Sequence, residues 1–389
     1  MDASGALQKT LSLTDLIFFG VASIIGSGGF NLVGEAVLAG GNTWSISFAI
    51  AAAVLLGSSR TYEEAFDSFK TNTAASDFVG KIFGENASFA TIGAVLIWDI
   101  LSISTILVLC SHMLFPEASW ASQILFALLL LGLMGYFSLK GLDVDKQVIN
   151  TFSATLIVVL GSLSVLGVGT AATEGIPSIP KTKITSFALS TLFFYFILAG
   201  FDSLINFTEE TKDEKDIPRS FYLSNLLSIL LVLGLCLAFI VLVNMKGITH
   251  FDDSIGRIFG ALFGKQAGFM GTSFSVIYMI ITTFVTFLAT TRYVYGLGAI
   301  YKPLESMKVL NEAKVPIYAV GATLVSAAAT ILINHTETLV RIADFGLSSL
   351  LLMVAAAATT SVASQGKVPW IEGATTAGLA GMLGLTFIK

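Results

Sequence analysis

The sequence predicts an all-α polytopic membrane protein of about eleven transmembrane helices, two of them interrupted near their middles. Three observations carry that expectation. The 389 residues are 54% hydrophobic and only 12% charged, about half the roughly 25% charged residues of a soluble domain. Apolar stretches of the ~20 residues needed to cross a bilayer recur along the whole chain, separated by short polar links. Two of those stretches, five spans apart, are broken by glycine.

The apolar stretches fall near residues 13–38, 43–66, 87–113, 120–139, 147–172, 186–209, 221–244, 267–299, 315–334, 338–364 and 370–388, and the longest polar links are 67–86, 209–220 and 300–314. Lys and Arg set orientation. With the N-terminus inside, fourteen of the 21 lie on the inner side, from Lys9 and Arg60 to Lys314 and Lys367. The outer side holds Lys181, Lys183, Lys246, Arg257, Lys265, Arg341 and Lys389. Residues 1–12 are therefore expected in the cytoplasm and the chain in the plasma membrane. Residues 1–10 are short and polar and the first span is too long for a signal-peptide core, so no cleavable leader is expected. Cys110 and Cys236 sit inside spans without disulfide or metal spacing, and small buried hydrophobes are the expectation for both. No cofactor, metal cluster, nucleic-acid partner or enzymatic site is expected: the sequence has no nucleophile–His–acid set and no P-loop, and no sizeable soluble domain for soluble enzymology, which leaves sodium or a proton open only as a coupling ion.

The first span contains the organising feature. Residues 23–30 read Ser-Ile-Ile-Gly-Ser-Gly-Gly-Phe, and each glycine costs a helix interior ~1 kcal/mol relative to Ala. A bilayer tolerates unwound backbone only where it is buried in protein or lines a wet cavity. Two half-helices are expected, one aiming free N–H groups at an anion, the other leaving carbonyls for an ammonium or metal cation. An α-amino acid carries one group of each kind. Taken alone, such a cluster more often serves close helix packing. Farther along the span, Glu35 is expensive in lipid unless it faces the interior. The third span carries Trp98-Asp99, where binding and helix-tying are equal readings of the acid, and His112 is expected at its outer interface.

The sixth span supplies the second break. Gly200 and Asp202 interrupt the aromatic run Phe193-Phe194-Tyr195-Phe196 and its apolar continuation. This span opens a second set of five, and interrupted helices at corresponding places in two halves point to the site of an inverted-repeat transporter. The pair of breaks turns the balance from packing to binding. The repeat rests on helix count, since the halves share no convincing residue-level similarity.

Two motifs resemble the amino acid–polyamine–organocation (APC) superfamily. Gly20-Val21-Ala22-Ser23-Ile24-Ile25-Gly26-Ser27-Gly28-Gly29-Phe30, then Gly34-Glu35, is similar to the family's helix-1 pattern. Gly200-Phe201-Asp202, then Glu209-Glu210-Thr211-Lys212 and Asp216-Ile217-Pro218-Arg219, resembles its helix-6 pattern and following loop, one residue shorter here. Weaker matches are 62–65 and 292–303.

The resemblance implies a LeuT-type 5+5 inverted repeat with discontinuous helices 1 and 6: repeats over 13–172 and 186–364, and an additional helix at 370–388. It implies a secondary active transporter of amino acids, or of related organic cations and polyamines, working by alternating access. The N–H groups of Gly26, Ser27 and Gly28, with the Ser27 hydroxyl, would receive the carboxylate. Carbonyls of Ser23, Ile24, Phe196 and Ala199 would receive the ammonium beside Gly200, and Phe201 would be an aromatic lid. Thr282, Thr283 and Thr286 are the polar candidates of the eighth span, although each could equally bond its own helix backbone. Glu35, Asp99 and Asp202 are candidates for the pocket or for coupling.

Departures from the family pattern affect coupling and assembly. Asp213-Glu214 replace Asn-Pro, Ala74-Ala75 replace Gly-Gly, and Gly29 replaces Ile. A lysine in the fifth span of proton-coupled relatives is matched by Ile157. That leaves sodium, a proton on an acid, or uncoupled exchange, the last slightly favoured because no oxygen-rich sodium site is evident from spacing. The chain has about eleven spans where twelve are usual, which bears on the homodimer contacts the resemblance implies. The rival readings are a non-transporting amino acid sensor or scaffold with a transporter's fold, and a channel.

Overall fold

The structure, a computed structural model, describes residues 6–176, 184–246, 254–333 and 336–386. Lys181, Lys183 and Lys389, expected on the outer side, lie outside the described residues, as do the side chains of Ser27 and Lys246.

All eleven expected spans are helical. The first is α1 (Leu13–Ile24), α2 (Ser27–Asn31) and α3 (Val33–Gly40); the second is α4 (Trp44–Ser68). After a short α5 (Ala74–Phe83) come α6 (Glu85–Leu114), α7 (Trp120–Ser138) and α8 (Leu142–Glu174). The sixth span is α9 (Ile184–Leu198) continued by a 3-10 stretch, Phe201–Glu210. Then follow α10 (Asp216–Lys246), a short α11 (Ser254–Phe263), α12 (Lys265–Ile300), α13 (Ile317–Ile331), α14 (Thr336–Ser364) and α15 (Trp370–Leu385). Among the described residues eight helical segments are long and apolar enough to cross a membrane, while α1 and α13 are apolar but shorter.

Local chemistry explains where α1 begins. Ser12 and Asp15 form a reciprocal capping box, Ser12 N–H donating to Asp15 Oδ2 at 2.8 Å and Asp15 N–H to Ser12 Oγ at 3.4 Å. Such boxes satisfy two of the N–H groups that a helix start leaves bare. Asn150 of α8 donates to the same carboxylate, and Ser153, one turn on, donates to the Phe18 carbonyl at 3.0 Å. Capping and tertiary packing thus fix α1 against α8 together.

Burial separates the centre of the bundle from its lipid-facing rim. In their apolar windows, α12 is 83% and the sixth span 78% buried, against 28% for α8 and 33% for α7. The rim presents Leu125, Leu129, Val158 and Val165 to the surroundings, as a lipid-exposed face requires. The broken first span packs against α8, α10 and α12, and α9 packs against α3 and α4. Both breaks therefore lie in the most buried part of the protein. Cys110 and Cys236 are free and fully buried, in keeping with small hydrophobes.

Candidate functional site: the paired helix breaks

The first break spans two residues. α1 ends at Ile24; Ile25 leaves helical geometry (φ −84°, ψ 67°), and Gly26 (φ −103°, ψ −138°) caps α2 without a side-chain bond. Gly26 N–H turns back onto the Ile24 carbonyl at 2.9 Å. That internal bond removes Gly26 from the donors expected to face an anion. Helical bonding restarts with Phe30 N–H to the Gly26 carbonyl (3.4 Å) and Leu32 N–H to Gly28 (2.8 Å). The N–H groups of Ser27, Gly28 and Gly29 form the first turn, which has no intrahelical acceptor. On the other side, the Ala22 carbonyl accepts from Thr282 Oγ1 of α12 at 2.6 Å.

The second break sits directly against the first. α9 stops at Leu198, and Gly200 adopts φ +126°, a left-handed value open to glycine at little cost. A Cβ on Gly200 would lie 2.6 Å from the Ser23 carbonyl oxygen. A Cβ on Gly28 would lie 3.1 Å from Ile197 Cα and 3.5 Å from the Phe196 carbonyl oxygen. The two interrupted spans approach to backbone contact because Gly28 and Gly200 lack side chains there. Hydroxyls tie the junction: Ser23 Oγ and Ser203 Oγ each donate to the Gly200 carbonyl at 2.8 Å and stand 3.0 Å from one another.

A cavity of about 280 Å³ opens at this junction. Ser23, Ile24, Gly26, Gly28, Phe196, Ala199 and Gly200 line it, together with Asp99, Thr282 and Thr286. The remaining candidates fall elsewhere. Phe201 is fully buried against Tyr62 and Phe221, with ring centroids 5.4 and 5.9 Å away, so it is packed behind the break and does not line the cavity. Glu35 is exposed on α3, whose buried face carries Val33, Ala36 and Val37; helical phase turns it away from the cavity. Thr283 is outside the wall and bonds its own helix at the Met279 carbonyl, 2.7 Å. Asp202 is buried just outside the wall. Ile157 is a half-buried packing residue.

Sequence reasoning missed Ser203, Ser102, Thr105, Leu192 and Phe193, which also line the wall, as it missed the α14 residues Arg341 and Asp344. For α6 a signal existed: Asp99, Ser102 and Thr105 recur every three residues within an apolar span, the pattern of one polar helix face.

Beyond the cavity, toward the start of α1, a layer of hydrogen bonds ties the segment before α1 to the end of the sixth span. Thr10 and Leu11 N–H both donate to the Glu210 carbonyl (2.9 and 3.0 Å), and Lys212 N–H donates to Leu11 (2.9 Å). The Glu210 side chain takes a two-pronged bond from buried Arg292 of α12, Nε at 2.9 Å and Nη2 at 3.2 Å. Asp145, buried with neither carboxylate oxygen hydrogen-bonded, lies within electrostatic range of the same guanidinium. Outside this layer Lys70 Nζ donates to Glu214 at 2.9 Å. That bond holds the Glu214 carboxyl below its usual range and the Lys70 ammonium above its own. Within α5, burial pushes the Asp77 carboxyl up despite bonds from Thr73 and Thr71.

A family model described as amino acid permease matches residues 11–388. The branched-chain amino acid permease BcaP of Bacillus subtilis (strain 168) is 26% identical over 248 residues, which cover 58% of this chain and 53% of that protein. The chain thus spans about half the length of the curated relative it matches. Among solved structures, MhsT in complex with L-phenylalanine superposes with a TM-score of 0.66 at 12% identity, over 98% of this chain and 99% of that one. At that identity the likeness is one of fold, and it extends over nearly the whole molecule.

Proposed function

The chain belongs to the amino acid permease family, and from that premise we propose that it is a secondary active transporter moving α-amino acids across a membrane by alternating access. The observation that carries this reading is the contact of the two interrupted spans at one cavity, where Gly28 and Gly200 let their backbones meet. In the reading, N–H groups of Ser27, Gly28 and Gly29 receive the carboxylate. Carbonyls of Ser23, Ile24, Phe196 and Ala199 receive the ammonium. Phe196, in the wall beside Phe193, takes the aromatic role expected of Phe201.

Residues 13–172 and 186–364 are read as the two repeats, with α15 outside them. The hydrogen-bonded layer at Glu210 and Arg292 is the closed gate of an outward-facing state. The excess of Lys and Arg on that side favours placing it, with the N-terminus, in the cytoplasm, and the plasma membrane is the proposed location. Thr282 reaches across to the Ala22 carbonyl rather than standing free for a cation, which fits exchange without a bound ion.

Labelled amino acid uptake into proteoliposomes preloaded with unlabelled amino acid tests the reading. A transporter gives saturable uptake accelerated by the internal substrate. Binding without flux would establish a sensor in its place, and flux without acceleration by internal substrate would establish a channel.

A further inference from the structure

If the breaks take the two charged ends of an amino acid, its side chain must enter the rest of the cavity, and the inference here rests on that reading. The facing wall is polar where α6 and α12 supply it: Asp99, Ser102 and Thr105 from one, Thr286 from the other. Asp99 is 3% exposed, and its Oδ2 is 2.9 Å from Thr290 Oγ1. That hydroxyl also lies 2.7 Å from the Thr286 carbonyl, and it has a single proton to share between them. No described ion pair involves Asp99 or Asp202. The two carboxylates are within electrostatic range of each other. Asp202 Oδ1 and the Tyr62 hydroxyl, within electrostatic range of both acids, are buried without a hydrogen-bond partner. The wall's other charges, Arg341 and Asp344, come as one of each sign from α14, and Arg341 is exposed. This end of the cavity is thus acidic, with an unpartnered Asp202 oxygen just behind it, a costly arrangement for buried carboxylates unless they take up protons or a cation joins them.

Reach decides which cation. Thr282 marks the level of the first break, because a Cβ on Gly26 would run into it. Thr290 is eight residues farther, ~12 Å along α12, and Asp99, bonded to it, lines the cavity at that end. A lysine stem spans ~6 Å from Cα to Nζ, whereas a branched aliphatic side chain stops well short. We propose that the Asp99 end of the cavity is a subsite for the cationic tip of a long side chain, making basic α-amino acids (lysine, ornithine, arginine) the preferred substrates. Leucine, of the kind named for the Bacillus relative, is the competing occupant.

The test is calorimetric competition on the purified full-length protein among lysine, norleucine and leucine. Lysine and norleucine share a stem and differ by the ammonium. Lysine is expected to bind at least about tenfold tighter than norleucine, since sites built around a polar group discriminate strongly against analogues lacking it. Asp99→Asn should bring the ratio close to one. Norleucine or leucine binding as tightly as lysine, or a ratio unchanged in Asp99→Asn, overturns the subsite. Should that variant not fold, Nε-acetyl-lysine supplies the second arm: weak binding like norleucine supports the subsite, and binding equal to lysine overturns it. If none of these binds while another α-amino acid does, the subsite fails and the reading of the breaks stands; if no α-amino acid binds, both fail.

Discussion

Gly200 excludes any side chain for two separate reasons: its φ of +126° and the Ser23 carbonyl 2.6 Å from where a Cβ would sit. Gly200→Ala should therefore cost ~1–3 kcal/mol for the strained backbone, with a further loss as the breaks are pushed apart. A lowered melting temperature together with loss of substrate protection checks this; an unchanged melt would mean that the breaks do not touch. Gly28 is different in kind, because its φ is ordinary and only the approach of Ile197, 3.1 Å from a built Cβ, constrains it. Gly28→Leu should insert and fold yet bind no substrate, since the side chain fills the junction and favours closing the helix. Undiminished uptake by properly inserted Gly28→Leu protein would remove the first break from the site. Glycine at these positions was legible in sequence as helix interruption. Which acid faces inward was not: Glu35 and Asp99 both stand at membrane depth, and only the rotation of α3 and α6 against their neighbours separates them.

Among the elements, α12 bears the most on the gate. Its middle touches the first break through Thr282, and ten residues on, its Arg292 anchors Glu210 behind the cavity. Removing one partner of a buried ion pair leaves an uncompensated charge and costs ~3–5 kcal/mol. Glu210→Gln should accordingly destabilise the protein and shift it toward opening on the α1 side. A Thr10→Cys reporter checks the direction, since Thr10 is 7% exposed and Cys110 and Cys236 are both 0% exposed, which keeps background labelling low. Labelling should rise severalfold in Glu210→Gln; a rate equal to that of the parent would show that the pair does not hold the gate. The long helices could be read from apolar length alone. The short α5 and α11 could not, because ten-residue segments fall below the spanning criterion and owe their form to packing, α5 against α6 and α11 against α12.

For the whole molecule, the proposed transporter holds both charged ends of an amino acid in one cavity between two broken helices. The motifs around Gly26 and Gly200 made both breaks legible, but their contact emerges only from the fold. The Ser23–Gly200–Ser203 knot joins residues 177 and 180 positions apart, a distance over which sequence periodicity carries no information. Phe201 shows the converse, a family-like position whose aromatic ring the packing of Tyr62 and Phe221 claims for the interior. The most direct measurement is competition, against a bound labelled amino acid, by the same amino acid amidated at its carboxylate or acetylated at its α-amine. Each cap leaves buried polar groups unpaired and should cost several kcal/mol, so neither analogue should compete at concentrations where the parent saturates. Competition by both analogues at the parent's strength would contradict the two-break site, and competition by the amidated form alone would make the substrate an amine.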